Sequence, residues 1–180
     1  MDKPQKWKTI SSKQGADLKI FKVRHDQVLN PRNGKEMEAI VLESADAANV
    51  VAITPENKVL MVQQYRFGTQ QITLEVPGGF VESGEPNLAA VQRELQEETG
   101  YTSTNWSFLG TVESNPVFMN SYVHHWLAKD VKRTDIPQLD EGEDIQILEL
   151  TIEEIKQHIK AGRIAHTHTI SALVRVFSLF

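Results

Sequence analysis

The spacing of hydrophobic residues changes along the chain, and each spacing predicts a type of element. Leu18–Val23 alternates and predicts a strand, Asn30–Gly34 is a turn-rich break, and Glu36–Leu42 reads as a further strand. Two buried strands follow, Asn49–Thr54 and Lys58–Tyr65, about the turn Pro55-Glu56-Asn57. Leu88, Val91 and Leu95 then recur at helical spacing, and at about 100° per residue they share one face suited to packing on a sheet. Pro86 suits the first position of that helix, with Ser83 or Glu85 near the cap, and Gly100 suits a left-handed exit. Trp106–Val112 and Tyr122–Leu127 are strand-like and joined by a loop from Glu113 to Asn120, and Ile145–Leu150 is another strand. Thr151-Ile-Glu-Glu154 is a capping box opening a helix to Lys160, which Ala161-Gly162 ends. A last helix, about Thr169–Leu179, carries Ile170, Leu173, Val174, Val176 and Phe177 toward the core.

The helix before Gly100 carries chemistry as well as a hydrophobic face. Glu94 and Glu98 lie one turn apart at the edge of the apolar face with no obvious basic partner, whereas Arg93 and Glu97 form an i,i+4 pair that compensates itself. A solvated acidic face is the ordinary explanation, since like charges at this spacing cost only about 0.2–0.5 kcal/mol. The register of the surrounding residues argues against it. From Gly79 the chain reads G-x5-E-x7-R-E-L-x-E-E-x-G, with Glu85, Arg93, Glu94, Glu97, Glu98 and Gly100 in fixed places. At average residue usage, such a pattern arises by chance at roughly 10⁻⁹ to 10⁻⁸ per starting position. Clustered carboxylates collect hard divalent cations, Mg²⁺ or Mn²⁺, through oxygen ligands.

This pattern resembles that of the Nudix hydrolases, which cleave a nucleoside diphosphate linked to another group. Gln63-Gln64-Tyr65-Arg66, Leu74–Gly79 and Pro116, fifteen residues beyond Tyr101, are similar to the branch acting on ADP-ribose and other nucleoside diphosphate sugars. The resemblance implies the Nudix fold, a mixed α/β arrangement in which a β-sheet is sandwiched between α-helices, with a small N-terminal antiparallel β region. It divides the chain into residues 1–44, a dimerisation element, and a catalytic domain over residues 45–180. It implies Glu94, Glu98 and the backbone carbonyl of Gly78 as metal ligands, with Glu143 joining on closure and two or more ions in all. Glu141, in the acidic loop Asp140-Glu141-Gly142-Glu143-Asp144, is implied as the base. Arg93 and Glu97, with Glu85, are implied as supports of loop and helix, and Glu97 as a further place for a metal through water.

Some residues stay open between alternatives. Arg66, at a strand end, is either a surface ion-pair residue or a phosphate contact. Glu75 is a substrate carboxylate, a support behind one, or a strand residue paired with a neighbour. Phe80 is a base-stacking surface or part of the core. Pro116 is a turn former or a border of the substrate. His124 and His125 are adjacent on a strand and point to opposite faces, and no partner at zinc spacing accompanies His166 and His168, so all four read as structural.

Composition narrows the reading only slightly. The chain has 180 residues and a formal charge of −5, which argues against a broad nucleic-acid surface and requires metals and local arginines for an anionic substrate. It has no cysteine, hence neither disulfides nor thiolate metal sites. No apolar run is long enough for a membrane span and the N-terminus lacks a signal-peptide core, so the expected location is cytoplasmic. The expected function is metal-dependent hydrolysis of a nucleoside diphosphate sugar by a homodimer. The rivals are another Nudix substrate, such as a dinucleoside polyphosphate or capped RNA, and a nucleotide-sensing module without catalysis.

Overall fold

The computed structural model describes residues 3–179. They form two units: the chain up to Ala45 with the loop Glu113–Tyr122, and Asp46–Val112 with the chain from Val123 onward.

The first unit is an antiparallel sheet of β1 (Lys8–Asp17), β2 (Lys22–Leu29) and β3 (Glu36–Glu43) in that order. The strand expected from Leu18 is absent as such. Leu18–Phe21 turns the chain between β1 and β2, with Lys19 at φ 69° and its N–H donating to Asp17 Oδ1 at 3.0 Å. Eight-residue pairing of Lys22–Leu29 with β3 prevails over the short local alternation. Arg24 ties the sheet together, donating to both Asp26 and Glu43. The loop joins the edge of β3 through a bond from Leu42 N–H to the Phe118 carbonyl at 2.7 Å.

The second unit is built on a seven-stranded mixed sheet. Its elements are β4 (Ala47–Ile53), β5 (Val59–Arg66), β6 (Gln71–Glu75), β7 (Gly78–Phe80), α1 (Asn87–Thr99), β8 (Tyr101–Thr102), β9 (Asn105–Glu113), β10 (Tyr122–Lys129), β11 (Lys132–Arg133), β12 (Ile145–Leu150), α2 (Ile152–Lys160) and α3 (Thr167–Val174). The strand order is β12-β5-β4-β10-β9, with β6 pairing β5, β7 pairing β4, and β8 with β11 forming a separate ribbon. β4 and β10 are parallel, whereas β5 pairs antiparallel with β12 and β6.

Alternation along β4 divides the core. Ala48, Val50 and Ala52 point with Leu60 toward Val91 and Leu95 of α1, while Val51 joins Met61, Leu74, Ile155 and Leu173 on the side of α2 and α3. The sheet is thus covered by helices on both faces, as expected. Leu95 is fully buried, and such a side chain contributes about 1.5–3 kcal/mol, so the apolar stripe of α1 anchors the helix firmly. Pro86 is its N-cap rather than its first helical residue, and neither Ser83 nor Glu85 caps it through a side chain, whereas Gly100 leaves at φ 73° as expected. The Thr151–Glu154 capping box forms on α2.

The last helix is shorter and starts earlier than its hydrophobic spacing predicts. It runs Thr167–Val174, and the chain then turns as the Val176 and Phe177 N–H groups both bond to the Leu173 carbonyl. Val176 and Phe177 still pack on the core, so burial alone could not reveal where the helix ends. Among the described residues no helix is long and apolar enough to cross a membrane.

Candidate active site

The site forms where the turn after β6 meets the anchored face of α1. Pairing of β7 with β4 puts Gly78 opposite Asn49 and Gly79 opposite Ala48. Gly78 has φ 151°, and a Cβ there would collide with the Ala48 carbonyl and Asn49. A Cβ on Gly79 would instead collide with the Glu94 carboxylate. Gly78 therefore lets the backbone lie close on β4, and Gly79 lets it lie close to the Glu94 side chain of α1. The Gly78 N–H reaches Glu98 Oε2 at 2.9 Å.

Glu98 is only 3% exposed. Burial, with Glu94 and Glu143 as like charges nearby, pushes its pKa up to about 8 against the opposing hydrogen bond from Gly78. Burial also pushes Glu94 up, despite its bond from Arg93 Nη1 at 2.9 Å. That bond corrects the helix-wheel expectation that Glu94 lacks a basic partner: a long guanidinium reaches its sequence neighbour around the helix surface.

Arg93 links the surrounding pieces. Its Nη1 also donates to Glu97 at 2.9 Å, its Nε to Glu85 at 3.2 Å, and its Nη2 to the Phe80 carbonyl at 3.1 Å. One guanidinium thus holds helix, loop and strand while facing three carboxylates, which raise its pKa. The local charge remains negative, and Glu98 lies beyond Arg93's bonds. Among the described residues no three acidic or histidine side chains converge into a ready-made metal cage.

A second arginine stands at the end of β5. Arg66 Nε and Nη2 bond the two oxygens of Glu75, each at 2.8 Å, in a bidentate fork across the β5–β6 hairpin. Glu75 also accepts from the Thr73 hydroxyl and lies 2.9 Å from His166 Nδ1. Burial would raise its pKa, but these partners outweigh burial and hold it well below the usual carboxylate range. Arg66 in turn feels Glu98 and Glu143, so this clasp borders the acidic site.

A NUDIX domain is matched over residues 43–172. The chain belongs to the Nudix hydrolase family. A methanol dehydrogenase activator of Bacillus methanolicus is 35% identical over 167 residues, covering 92% of this chain and 90% of that protein. An ADP-ribose pyrophosphatase of Bacillus subtilis strain 168 is 30% identical with the same coverage, 92% and 90%. A crystal structure of an ADP compounds hydrolase matches with a TM-score of 0.84 over 98% of this chain and 95% of that one, at 21% identity, which shows the fold.

The Nudix helix and its preceding turn bring together Gly78, Glu85, Arg93, Glu94, Glu97 and Glu98. Glu143 contributes to the electrostatics of Glu94 and Glu98 from the acidic loop, where its carboxylate accepts from Asp140 N–H at 3.0 Å. Glu141 is solvent-exposed. Phe80 is half exposed and serves Arg93 through its carbonyl. Pro116 belongs to the loop of the first unit. Neither the Arg66–Glu75 pair nor its partners Thr73 and His166 follow from the sequence pattern. Thr73 was legible in principle, being two residues from Glu75 on one strand face. Nothing in the sequence connects His166 to Glu75, because packing of α3 alone brings them together. Two further histidines hold the scaffold: His125 is buried between Asn49 and Ser171, at 2.7 and 3.1 Å, and His124 contacts Thr111 and Asp46.

Proposed function

We propose that this Nudix protein hydrolyses the diphosphate bond of a nucleoside diphosphate sugar of the ADP-ribose type, yielding a nucleoside monophosphate and a sugar phosphate, with Mg²⁺ or Mn²⁺ as cofactor. The observation that carries the reading is Glu98, a carboxylate withdrawn from water that feels the charges of Glu94 and Glu143 and, among the described residues, has no basic side chain bonded to it. Carboxylate oxygens are the ligands a hard divalent cation takes, and its charge would offset the burial that otherwise disfavours the ionised Glu98. The name of the Bacillus subtilis relative supports the choice of substrate class.

Glu94, Glu98 and the Gly78 carbonyl would hold the metal, joined by Glu143 as the acidic loop closes, with two or more ions in all. When bound, the metal neutralises the diphosphate and lowers the pKa of the attacking water. The chain's own residues do the rest. Glu141 accepts the water's proton as its oxygen bonds to one phosphorus and the bridging P–O bond breaks. Arg66 turns Nε and Nη2 to Glu75, which leaves Nη1 to steady a phosphate. Arg93 and Glu97 keep Glu94 and the Glu85 loop in place.

The reading is tested by incubating the protein and MgCl₂ with ADP-ribose, ADP- and GDP-sugars, a dinucleoside polyphosphate and capped RNA, and measuring phosphate released by an added phosphatase. Cleavage of a diphosphate sugar to the two monophosphates is expected. Cleavage confined to the polyphosphate or the cap would overturn the substrate class, and no cleavage of any would overturn catalysis. We also propose that the first unit pairs two copies, since Trp7, Ile10, Ile20, Met37 and Ile40 are exposed on it. Light scattering should then give about twice 20.3 kDa, and a monomer at micromolar concentration would refute it.

A further inference from the structure

The C-terminal segment reaches the site through a side chain that the reaction above does not use. We propose that His166 is a positioning residue for Arg66: acting through Glu75, it holds the guanidinium at the angle from which it meets the diphosphate. This rests on the reading of Arg66 as a phosphate contact.

Glu75 is 1% exposed, so it depends on protein partners for its hydrogen bonds. A carboxylate offers about four acceptor positions. Arg66 takes one on each oxygen, the Thr73 hydroxyl takes another on Oε1, and His166 Nδ1 faces Oε2. The carboxylate is saturated and has no acceptor left for substrate. Arg66 and Thr73 both belong to the β5–β6 hairpin and move with Glu75. Among the described residues only His166 brings Glu75 a side-chain partner from outside that hairpin, so it ties the carboxylate itself to the start of α3.

The imidazole is itself held. Its Nδ1 also lies 3.1 Å from Thr169 Oγ1, which accepts from the Val76 N–H at 3.2 Å, and its ring meets that of His168 edge-on at 5.5 Å between centroids. His166 occupies the N-cap position of α3 but makes no side-chain cap bond, so helix capping does not account for its orientation. The single Nδ1 thus lies between Glu75 Oε2 and Thr169 Oγ1, and it carries a hydrogen to donate in one neutral tautomer and in the imidazolium. Without His166, Oε2 keeps a single partner in a dry place. Glu75 would then rotate toward other donors and carry Arg66 with it, and displacements of about 1 Å at a reacting group can cost up to ~100-fold in rate.

The test compares His166→Ala, His166→Asn, Arg66→Ala and the double variant His166→Ala/Arg66→Ala on ADP-ribose with Mg²⁺. His166→Ala should lower kcat/KM ~10-fold or more, and His166→Asn, which keeps an N–H at the place of Nδ1, should recover to within ~3-fold of wild type. In the Arg66→Ala background, His166→Ala should change kcat/KM by less than ~2-fold, because the group it positions is gone. Additive losses, or an Asn variant as poor as the Ala variant, would overturn the proposal. A second readout needs no substrate: the Arg66 Nε–H proton signal should exchange slowly with water in wild type and His166→Asn and at least ~10-fold faster in His166→Ala. Unchanged exchange would overturn the clasp even if the protein turned over ADP-ribose. Inertness of wild type toward ADP-ribose would instead count against the substrate reading, with the exchange measurement still deciding the clasp.

Discussion

Replacing Glu98 by Gln separates the two tasks of this side chain. Gln is almost isosteric and keeps an oxygen to accept the Gly78 N–H, which Glu98 Oε2 takes at 2.9 Å. It also removes a charge that burial and two neighbouring carboxylates disfavour. Metal-free Glu98→Gln should therefore be as stable as wild type to within ~1 kcal/mol. Glu98→Ala leaves the Gly78 N–H unpaired beside the helix and should cost ~1–3 kcal/mol. Activity should behave the other way. A neutral amide is a poor ligand for a hard cation, and turnover should fall at least ~100-fold, or ~2.7 kcal/mol in barrier. The assays are urea denaturation in EDTA and phosphatase-coupled hydrolysis of ADP-ribose across a MgCl₂ titration. Near-normal turnover of Glu98→Gln at limiting Mg²⁺ would refute its role as ligand. A large loss of metal-free stability would refute the claim that the buried charge is tolerated only for its cation.

Gly79→Ala places a Cβ against the flexible end of Glu94, so the fold should persist by circular dichroism while kcat falls ~10-fold or more; unchanged kcat would show that Glu94 has room elsewhere. Glu141→Gln should lower kcat by roughly 10²–10⁴ without changing the metal requirement, whereas Glu143→Gln should raise the Mg²⁺ needed; retained turnover in Glu141→Gln would move the base to another carboxylate, with Glu97 next. His125 titrates low, at about 4 against an ordinary 6.5, chiefly through burial and further through Arg175 and His168. The unfolded chain then takes up a proton that the native state refuses, so stability should fall as pH drops from 6.5 toward 4, by at most ~1.4 kcal/mol per pH unit from this group. His125→Gln should flatten that slope in urea titrations, and an unaltered slope would assign it to other groups.

What the sequence determined by itself was local. Glu94 and Glu98 share a stripe because residues four apart always do in an α-helix, and the apolar stripe of Leu88, Val91 and Leu95 obliges the helix to lie on the sheet. Pro86 and Gly100 marked its ends through backbone constraints that no tertiary contact alters. The same locality explains where the pattern misled. Alternation at Leu18–Val23 suits a strand, but a strand exists only if its partner bonds there, and β3 starts its pairing at Lys22. Helical spacing in the tail could not separate residues of α3 from those in the turn after Val174, since both groups bury their side chains. Only the tertiary structure decided that Arg93 would serve Glu94 as well as Glu97, because side-chain reach depends on what the neighbouring loop and strand leave open. It alone decided how Glu75 is bound. Arg66 and Thr73 come from one hairpin, but His166 comes from the far end of the chain, brought to Oε2 by the packing of Ala172 and Leu173 into the core. Hydrophobic burial carries no record in sequence of which polar groups it will set side by side.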